Sequence, residues 1–309
     1  MQEALKHAMP PVRIVEVGPR DGLQNEARIL PPATRAQLVQ MLAQAGLRHI
    51  EAGAFVSPRW VPQMCGSDEV LWLLPEQPGL HLSALVPNEQ GMRSALACGC
   101  REVAVFAAAS ETFSQRNTNC SIDESLVRFE PVAALAREHG VRLRGYISCV
   151  VDCPYEGAIA PGRVADLCLK LQQLGCDEIS LGDTTGAGTP RQIRQLVDAC
   201  AAAVPLAMLA GHFHDTYGMA VANVLAALEA GITVFDASVS GLGGCPYSPG
   251  ASGNLATEDL VYLLEGLGLT TGIDLNSLVD AGAWIDTVLE RQTASRVARA
   301  RLAARTVRV

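Results

Sequence analysis

One local pattern recurs along this chain: an amphipathic stretch ends in a glycine, and a run rich in β-branched residues follows almost at once. A glycine adopts the left-handed conformation that ends a helix at little cost, so each such glycine indicates a turn from helix to strand. The pattern occurs at Gly46, Gly99, Gly140, Gly175 and Gly231. Because it implies alternating helices and strands, it predicts a fold of the α/β class.

Helix starts and strand positions extend this pattern over most of the chain. Thr34, Ser121 and Thr189 each stand three residues before a Glu or Gln, the spacing of a capping box, and Pro190 suits the first position of a helix. Strands are predicted near 12–17, 49–54, 81–85, 102–107, 142–150, 177–181, 206–213 and 233–238. About eight alternating units predict a closed (β/α)8 TIM barrel. An open, doubly wound sheet is the structural alternative.

The length of 309 residues permits either two ordinary domains or one barrel with additional segments. We predict a single catalytic domain over 1–309. The barrel covers about 10–256, a glycine-rich lid loop covers 241–254, and further helices cover 257–309. With 49% hydrophobic and 18% charged residues, the chain is not of the disordered class.

The charge of the chain limits the classes of partner that it can bind, and its cysteine usage indicates the state of its thiols. A net charge of −8 with scattered basic residues argues against binding to nucleic acid or an anionic membrane. We interpret the basic stretch from Arg296 to Arg308 as the solvated face of an amphipathic helix. The sequence contains no long apolar run and begins without the apolar stretch of a signal peptide, so we expect a cytoplasmic location. The ten cysteines form no C-x-x-C pair and are expected to be buried thiols.

Polar residues follow the predicted strands, at the end of a barrel where chemistry takes place. His212 and His214 are two residues apart on a strand, so both side chains point into the lumen. Asp21 follows the first strand, which neighbours the last strands in a closed barrel. Carboxylate and imidazole ligands together predict a Mg²⁺ or Mn²⁺ site better than a zinc site. The alternative is a pair of hydrogen-bonded core histidines.

A glycine-rich segment follows the eighth predicted strand and contains Cys245 and Asn254. Such segments at a barrel mouth act as mobile lids, although a plain connection is the alternative. A thiol exposed at the mouth suits a catalytic role better than the buried cysteines do.

The ordered set of motifs resembles the 3-hydroxy-3-methylglutaryl-CoA lyase family over nearly the whole chain. It includes VRIVEVGPRDGLQNE, FVSPRWVPQM, VAVFAAASETFSQRN, NCSIDES, RGYISCVVDCPYEG, LGDTTGAGTP, GHFHDTYG and GLGGCPYSPGASGNLATED. The resemblance implies a barrel with extra C-terminal helices, a divalent metal, an acyl-CoA thioester substrate and a homodimer. It also implies cleavage of 3-hydroxy-3-methylglutaryl-CoA to acetoacetate and acetyl-CoA, in leucine degradation.

The resemblance also implies roles for individual residues. The metal ligands match Asp21, His212, His214 and Asn254, the substrate-stabilising arginine matches Arg20, and the catalytic cysteine matches Cys245. Acidic residues of the mouth match Glu51 and Asp183, and either Asp183 or His212 serves as the general base. Two loop positions matched to the acyl-CoA end of the substrate are Asn117 and Ser121.

The chain departs from the family pattern beside two of these residues. After Glu51 it has Gly53 and Ala54 where relatives carry hydroxyl side chains, and it has Thr185 and Ala187 where Ile and Val are usual. A lost hydrogen bond can change substrate discrimination strongly. Lyases for related substrates such as citramalyl-CoA are therefore the alternative, followed by a condensing acyltransferase and, last, a non-catalytic scaffold.

Overall fold

Eight parallel strands form a closed barrel in the computed structural model, which describes residues 11–244 and 253–306. The strands, here named β1 to β8, are Arg13–Glu16, His49–Ala54, His81–Leu85, Glu102–Ala108, Arg142–Ser148, Glu178–Asp183, Leu209–Phe213 and Val234–Ala237. Each pairs with its neighbours in sequence, and β1 pairs with β8 to close the barrel. The closed ring confirms the predicted barrel and excludes the open sheet.

Eleven α-helices in the described ranges accompany the barrel. They are named α1 to α11 and comprise Pro32–Gln44, Ser67–Leu73, Glu89–Ala97, Glu111–Thr118, Ile122–His139, Pro161–Leu174, Pro190–Ala201, Ala220–Glu229, Thr257–Gly266, Leu275–Leu289 and Arg296–Thr306. A two-stranded antiparallel pair, Asp152–Cys153 with Gly157–Ala158, lies between β5 and α6. The helices α9 to α11 are the additional C-terminal helices that the sequence predicts.

The five glycines of the repeated pattern all have positive φ and all lie between a helix and the strand that follows. Gly46 shows most clearly why glycine is needed. Its φ is 109°, and a Cβ atom there would lie 2.3 Å from the carbonyl oxygen of Gly272. The turn that ends α1 thus packs directly against the backbone leading into α10.

Two of the three predicted helix starts are confirmed. Ser121 forms a complete capping box with Glu124 at the start of α5, and Thr189 precedes α7, whose first residue is Pro190. The prediction at Thr34 is wrong, because α1 begins at Pro32 and Thr34 lies in its first turn. Proline fits the first turn of a helix because its missing N–H has no partner to lose there.

The core lies between the barrel and its helices. In α6, for example, Val164, Leu167, Cys168 and Leu171 form a stripe along one face of the helix, and all four are buried. Seven of the nine described cysteines are buried, in agreement with the expected buried thiols. None of the described helices is long and apolar enough to cross a bilayer.

Candidate active site

The carboxyl ends of the barrel strands bring together side chains that are far apart in the sequence. A short turn of π-helix, Gly18–Gly22, follows β1 and carries Arg20 and Asp21. Glu51 lies within β2, and Asp183 is the last residue of β6. His212 lies near the end of β7, and His214 follows that strand. Catalytic residues of TIM barrels come from this end of the strands.

Asp21, His212 and His214 form a cluster that can hold a metal ion. One ligand atom from each residue lies within 4.8 Å of the others. The two histidine Nε2 atoms are 3.3 Å apart, and the Nε2 of His212 is 4.0 Å from Oδ2 of Asp21. Ligands of an octahedral cation with bonds of about 2.1 Å lie about 3 Å from each other, so the nitrogen pair already has this spacing.

Electrostatics keep Asp21 and His214 in the protonation states that a metal requires. Burial, together with the neighbouring His212, lowers the pKa of His214 to about 4, so its imidazole is neutral near pH 7. Burial opposes ionisation of Asp21, but the Arg20 guanidinium and the histidines outweigh it and lower the pKa of Asp21 to about 2. A carboxylate and a neutral imidazole are good ligands for a divalent cation.

Asn254, which the resemblance matches to a further metal ligand, lies beside this cluster. Its side-chain Nδ2 donates to Oδ2 of Asp21 at 2.8 Å and to the carbonyl oxygen of Leu242 at 3.1 Å. A backbone bridge also pairs Asn254 with His214. The amide is therefore within reach of the same centre as the three clustered residues.

Arg20 is clamped between two carboxylates. Its Nε donates to Oε2 of Glu51 at 2.6 Å, and its Nη1 donates to Oδ1 of Asp21 at 2.7 Å. Although burial disfavours the cation, these two anions raise the pKa of Arg20. The guanidinium is thus permanently charged and oriented at the barrel mouth. Burial also raises the pKa of Glu51 in spite of its contact with Arg20.

Asp183 has a different environment. Its side chain is fully buried, and its Oδ2 accepts a hydrogen bond from the backbone N–H of Gly188 at 2.9 Å. Its Oδ1 is buried without a hydrogen-bond partner among the described residues. Burial raises the pKa of Asp183 to about 6. A carboxylate with one free oxygen and a pKa near neutrality is suited to exchanging protons.

Two residues that the sequence reasoning missed complete the lumen. The hydroxyl of Tyr146 accepts from Nη1 of Arg144 at 2.9 Å and lies 3.3 Å from Oε2 of Glu51. Asp236 in β8 lies 3.1 Å from Nδ1 of His212. The sequence signal for Tyr146 is that Arg144 and Tyr146 stand two residues apart in β5, the spacing of side chains that share one face of a strand.

The remaining predicted site residues are not brought to the cluster. Asn117 is exposed on α4, and the hydroxyl of Ser121 accepts from the backbone N–H of Glu124 as the cap of α5. Within the described ranges, neither residue has a recorded contact with the residues around Asp21. Cys245 lies outside the described residues, as does most of the predicted lid loop.

Comparison with known proteins identifies a family to which this chain is similar. The sequence profile of the HMGL-like family matches residues 11–285. A Pseudomonas mevalonii protein named hydroxymethylglutaryl-CoA lyase is 61% identical over 97% of this chain and 99% of its own. A Pseudomonas aeruginosa protein named 3-hydroxy-3-isohexenylglutaryl-CoA/hydroxy-methylglutaryl-CoA lyase is 58% identical over 94% of this chain and 97% of its own.

A solved structure agrees over the same length. The crystal structure of hydroxymethylglutaryl-CoA lyase from Pseudomonas aeruginosa superposes with a TM-score of 0.93 at 57% sequence identity. The match covers 96% of this chain and 99% of that one. The similarity therefore extends over nearly the whole of both chains.

Proposed function

Since this chain belongs to the HMGL-like family, we propose that it is a metal-dependent lyase that cleaves 3-hydroxy-3-methylglutaryl-CoA to acetoacetate and acetyl-CoA. The observation that carries the proposal is the cluster of Asp21, His212 and His214 next to the clamped Arg20. The cluster offers a cation site, and the arginine offers a fixed positive charge for the anion that the reaction generates.

Asp21, His212 and His214 would hold the divalent metal, with the amide of Asn254 as a further ligand. Magnesium or manganese suits this set, because a carboxylate and an amide oxygen are hard donors. When bound, such a cation lowers the pKa of a coordinated hydroxyl group and orients the substrate. The ligands come from the turn after β1, from the end of β7 and from the segment before α9, so closing the barrel assembles the site.

Cleavage requires removal of the proton from the tertiary hydroxyl group. The electrons of that O–H bond then form the ketone of acetoacetate, while the broken carbon–carbon bond leaves its electron pair on the thioester as an enolate. Asp183 is our choice of base over His212, because its Oδ1 is free whereas the nitrogens of His212 face His214 and Asp236. General-base catalysis of this kind contributes about 10²- to 10⁴-fold in rate.

Arg20 would stabilise the enolate oxygen of the thioester. Its guanidinium is a planar fork that remains charged, and Glu51 and Asp21 hold it in one orientation. Donors that are already oriented do not need to reorganise as charge develops, which is why they are effective in the transition state. Cys245 would then protonate the enolate carbon to give acetyl-CoA.

A second candidate substrate is an acyl-CoA with a longer group at carbon 3. The Pseudomonas aeruginosa relative is named for an isohexenyl substrate as well. In this chain, the end of β2 carries only small residues, Ala52, Gly53 and Ala54, all of them buried. The departures from the family pattern at Gly53 and Ala54 lie in this segment, and a change of polar contacts there can alter substrate discrimination.

A panel of 3-hydroxy acyl-CoA thioesters tests the substrate. With Mg²⁺ or Mn²⁺, we expect the highest kcat/KM for 3-hydroxy-3-methylglutaryl-CoA, measured as acetyl-CoA release. Faster turnover of an isohexenyl or citramalyl thioester would identify that thioester as the preferred substrate instead. Formation of a longer acyl product from acetyl-CoA and a 2-oxo acid would indicate a condensing enzyme. The role in leucine degradation, the cytoplasmic location and the homodimer remain predictions from the sequence.

A further inference from the structure

His212 has two ring nitrogens, and the described structure gives each a different neighbour. Its Nε2 faces His214 and Asp21, whereas its Nδ1 faces Oδ2 of Asp236 at 3.1 Å. The second contact is a direct result of strand pairing, because Asp236 in β8 is the register partner of His212 in β7. The carboxylate therefore meets the imidazole on the side opposite to the cation cluster.

Asp236 is itself held at both oxygens. Ser180 in β6 donates its hydroxyl to Oδ2 at 2.8 Å, and Arg144 in β5 donates Nη2 to Oδ1 at 2.7 Å. The carboxyl group is only 2% exposed, so these bonds are not shared with bulk solvent. Three neighbouring strands thus hold one carboxylate in a single orientation.

Asp236 and Arg144 begin an interior chain of charges, a series of ion pairs that extends away from the cation cluster. Nε of Arg144 lies 2.8 Å from Oε1 of Glu178, and Oε2 of Glu178 contacts Arg142 at 3.2 Å as well as Arg13. Alternating charges therefore lead from the opposite end of the barrel to His212. Breaking a buried ion pair by removing one partner is costly, so this interior chain of charges constrains Asp236 strongly.

His214 has no equivalent support within the described ranges. Its Nδ1 is buried without a hydrogen-bond partner there. The two histidines of the cluster therefore differ: His212 has a fixed carboxylate at its second ring nitrogen, and the described structure shows no such partner for His214.

We propose that Asp236 is the positioning residue of the metal site: it accepts the Nδ1 proton of His212 in a hydrogen bond and so directs the unprotonated Nε2 toward the cation. A carboxylate behind a ligating imidazole selects one tautomer, fixes the ring and makes the nitrogen a better ligand. The inference rests on the proposed metal-dependent function, but its readouts need neither substrate nor turnover.

The first test compares Mn²⁺ affinities, measured by electron paramagnetic resonance, of the wild-type protein and Asp236→Asn. The amide keeps the shape of the side chain and removes its charge, so we expect binding to weaken about 10- to 100-fold, the usual effect of losing such a partner. The matched control is Glu102→Gln. Glu102 contacts Arg142 in the same interior chain of charges but does not touch His212, so its substitution should change affinity less than about twofold.

The second test needs no variant, so it holds even if Asp236→Asn fails to fold. Only six histidines occur in the chain, and ¹⁵N-histidine NMR of the metal-free protein reports the tautomer of each. We expect His212 to carry its proton on Nδ1. Wild-type Mn²⁺ binding together with unchanged affinity in folded Asp236→Asn, or a His212 protonated on Nε2, overturns the positioning role. A wild-type protein that binds no Mn²⁺ overturns the metal-dependent function itself.

Discussion

Two carboxylates at the barrel mouth, the half-buried Asp21 and the buried Asp183, have opposite electrostatic surroundings, and their chemistry differs accordingly. Asp21 lies against Arg20 and the histidines, and its pKa falls to about 2. Asp183 has a backbone N–H at one oxygen and nothing recorded at the other, and burial raises its pKa to about 6. A pair of acids with separated pKa values marks distinct roles, here a permanent ligand and a proton acceptor.

Replacing Asp183 tests this division of roles. Asp183→Asn cannot accept a proton, so kcat should fall about 10²- to 10⁴-fold. Metal affinity should stay within about twofold of wild type, because Asp183 is not one of the clustered ligands. Steady-state kinetics and Mn²⁺ titration measure the two effects. An unchanged kcat would assign the base to another group, and His212 would be the next candidate.

Single elements of the fold are predictable from the sequence where local chemistry determines them. The glycine at the end of a helix, the capping box at Ser121 and the buried stripe of α6 follow from backbone conformation and periodicity. The start of α1 was misplaced because two prolines, not Thr34, set it. Asp236 was missed because its importance depends on strand register, which pairs it with a residue of another strand.

The close approach at Gly46 yields a stability prediction. Gly46→Ala forces a side chain to a φ of 109° and places a Cβ atom 2.3 Å from a backbone oxygen, so the backbone must shift. We expect a loss of about 3 kcal/mol in unfolding free energy, from the left-handed conformation and the steric overlap together. Urea denaturation measures it.

Gly140→Ala is the matched control for this substitution. Gly140 also has positive φ, but nothing lies within 4 Å of the position of its Cβ. Its substitution should cost about 1 kcal/mol, the conformational part alone. Equal losses at the two positions would show that the contact of Gly46 with the segment before α10 has no energetic weight.

At the scale of the whole molecule, barrel closure decides the position of the site. Asp21 and His212 lie on elements that are far apart in the sequence, and they meet because β8 joins β1 to β7. Because the eight predicted strands imply such a closed ring, the sequence could place Asp21 beside the two histidines, whereas the ligand role of Asn254 came only from the resemblance to a family. Two buried carboxyl groups, one from α9 and one from β1, hold the segment that follows β8. Glu258 of α9 accepts a hydrogen bond from the backbone N–H of Ser240, and Glu16 of β1 accepts one from the backbone N–H of Val239.

These carboxylates make the stability of the molecule depend on pH. Burial raises the pKa of Glu258 to about 8, well above the value of about 4.3 for an unfolded chain. Between these values the folded state binds the extra proton, so the unfolding free energy falls as pH rises. The slope is at most about 1.4 kcal/mol per pH unit for one group.

Glu258→Gln should flatten this slope, because the amide accepts the same hydrogen bond without titrating. Urea denaturation at pH 6, 7 and 8 should show the wild-type protein losing stability relative to the variant as pH rises. Glu89→Gln, at a half-exposed glutamate of α3 paired with Arg93, should keep the wild-type slope. A Glu258→Gln variant that parallels wild type over this range would contradict the buried, protonated state.

The most direct test of the whole account is a metal-reconstitution assay of 3-hydroxy-3-methylglutaryl-CoA cleavage. Protein stripped by a chelator should be inactive, and added Mg²⁺ or Mn²⁺ should restore release of acetoacetate and acetyl-CoA in equal amounts. His212→Ala should remain folded by circular dichroism yet stay inactive with either metal. Cleavage at the wild-type rate by folded His212→Ala, or by chelator-treated protein verified to be free of metal, would contradict the account.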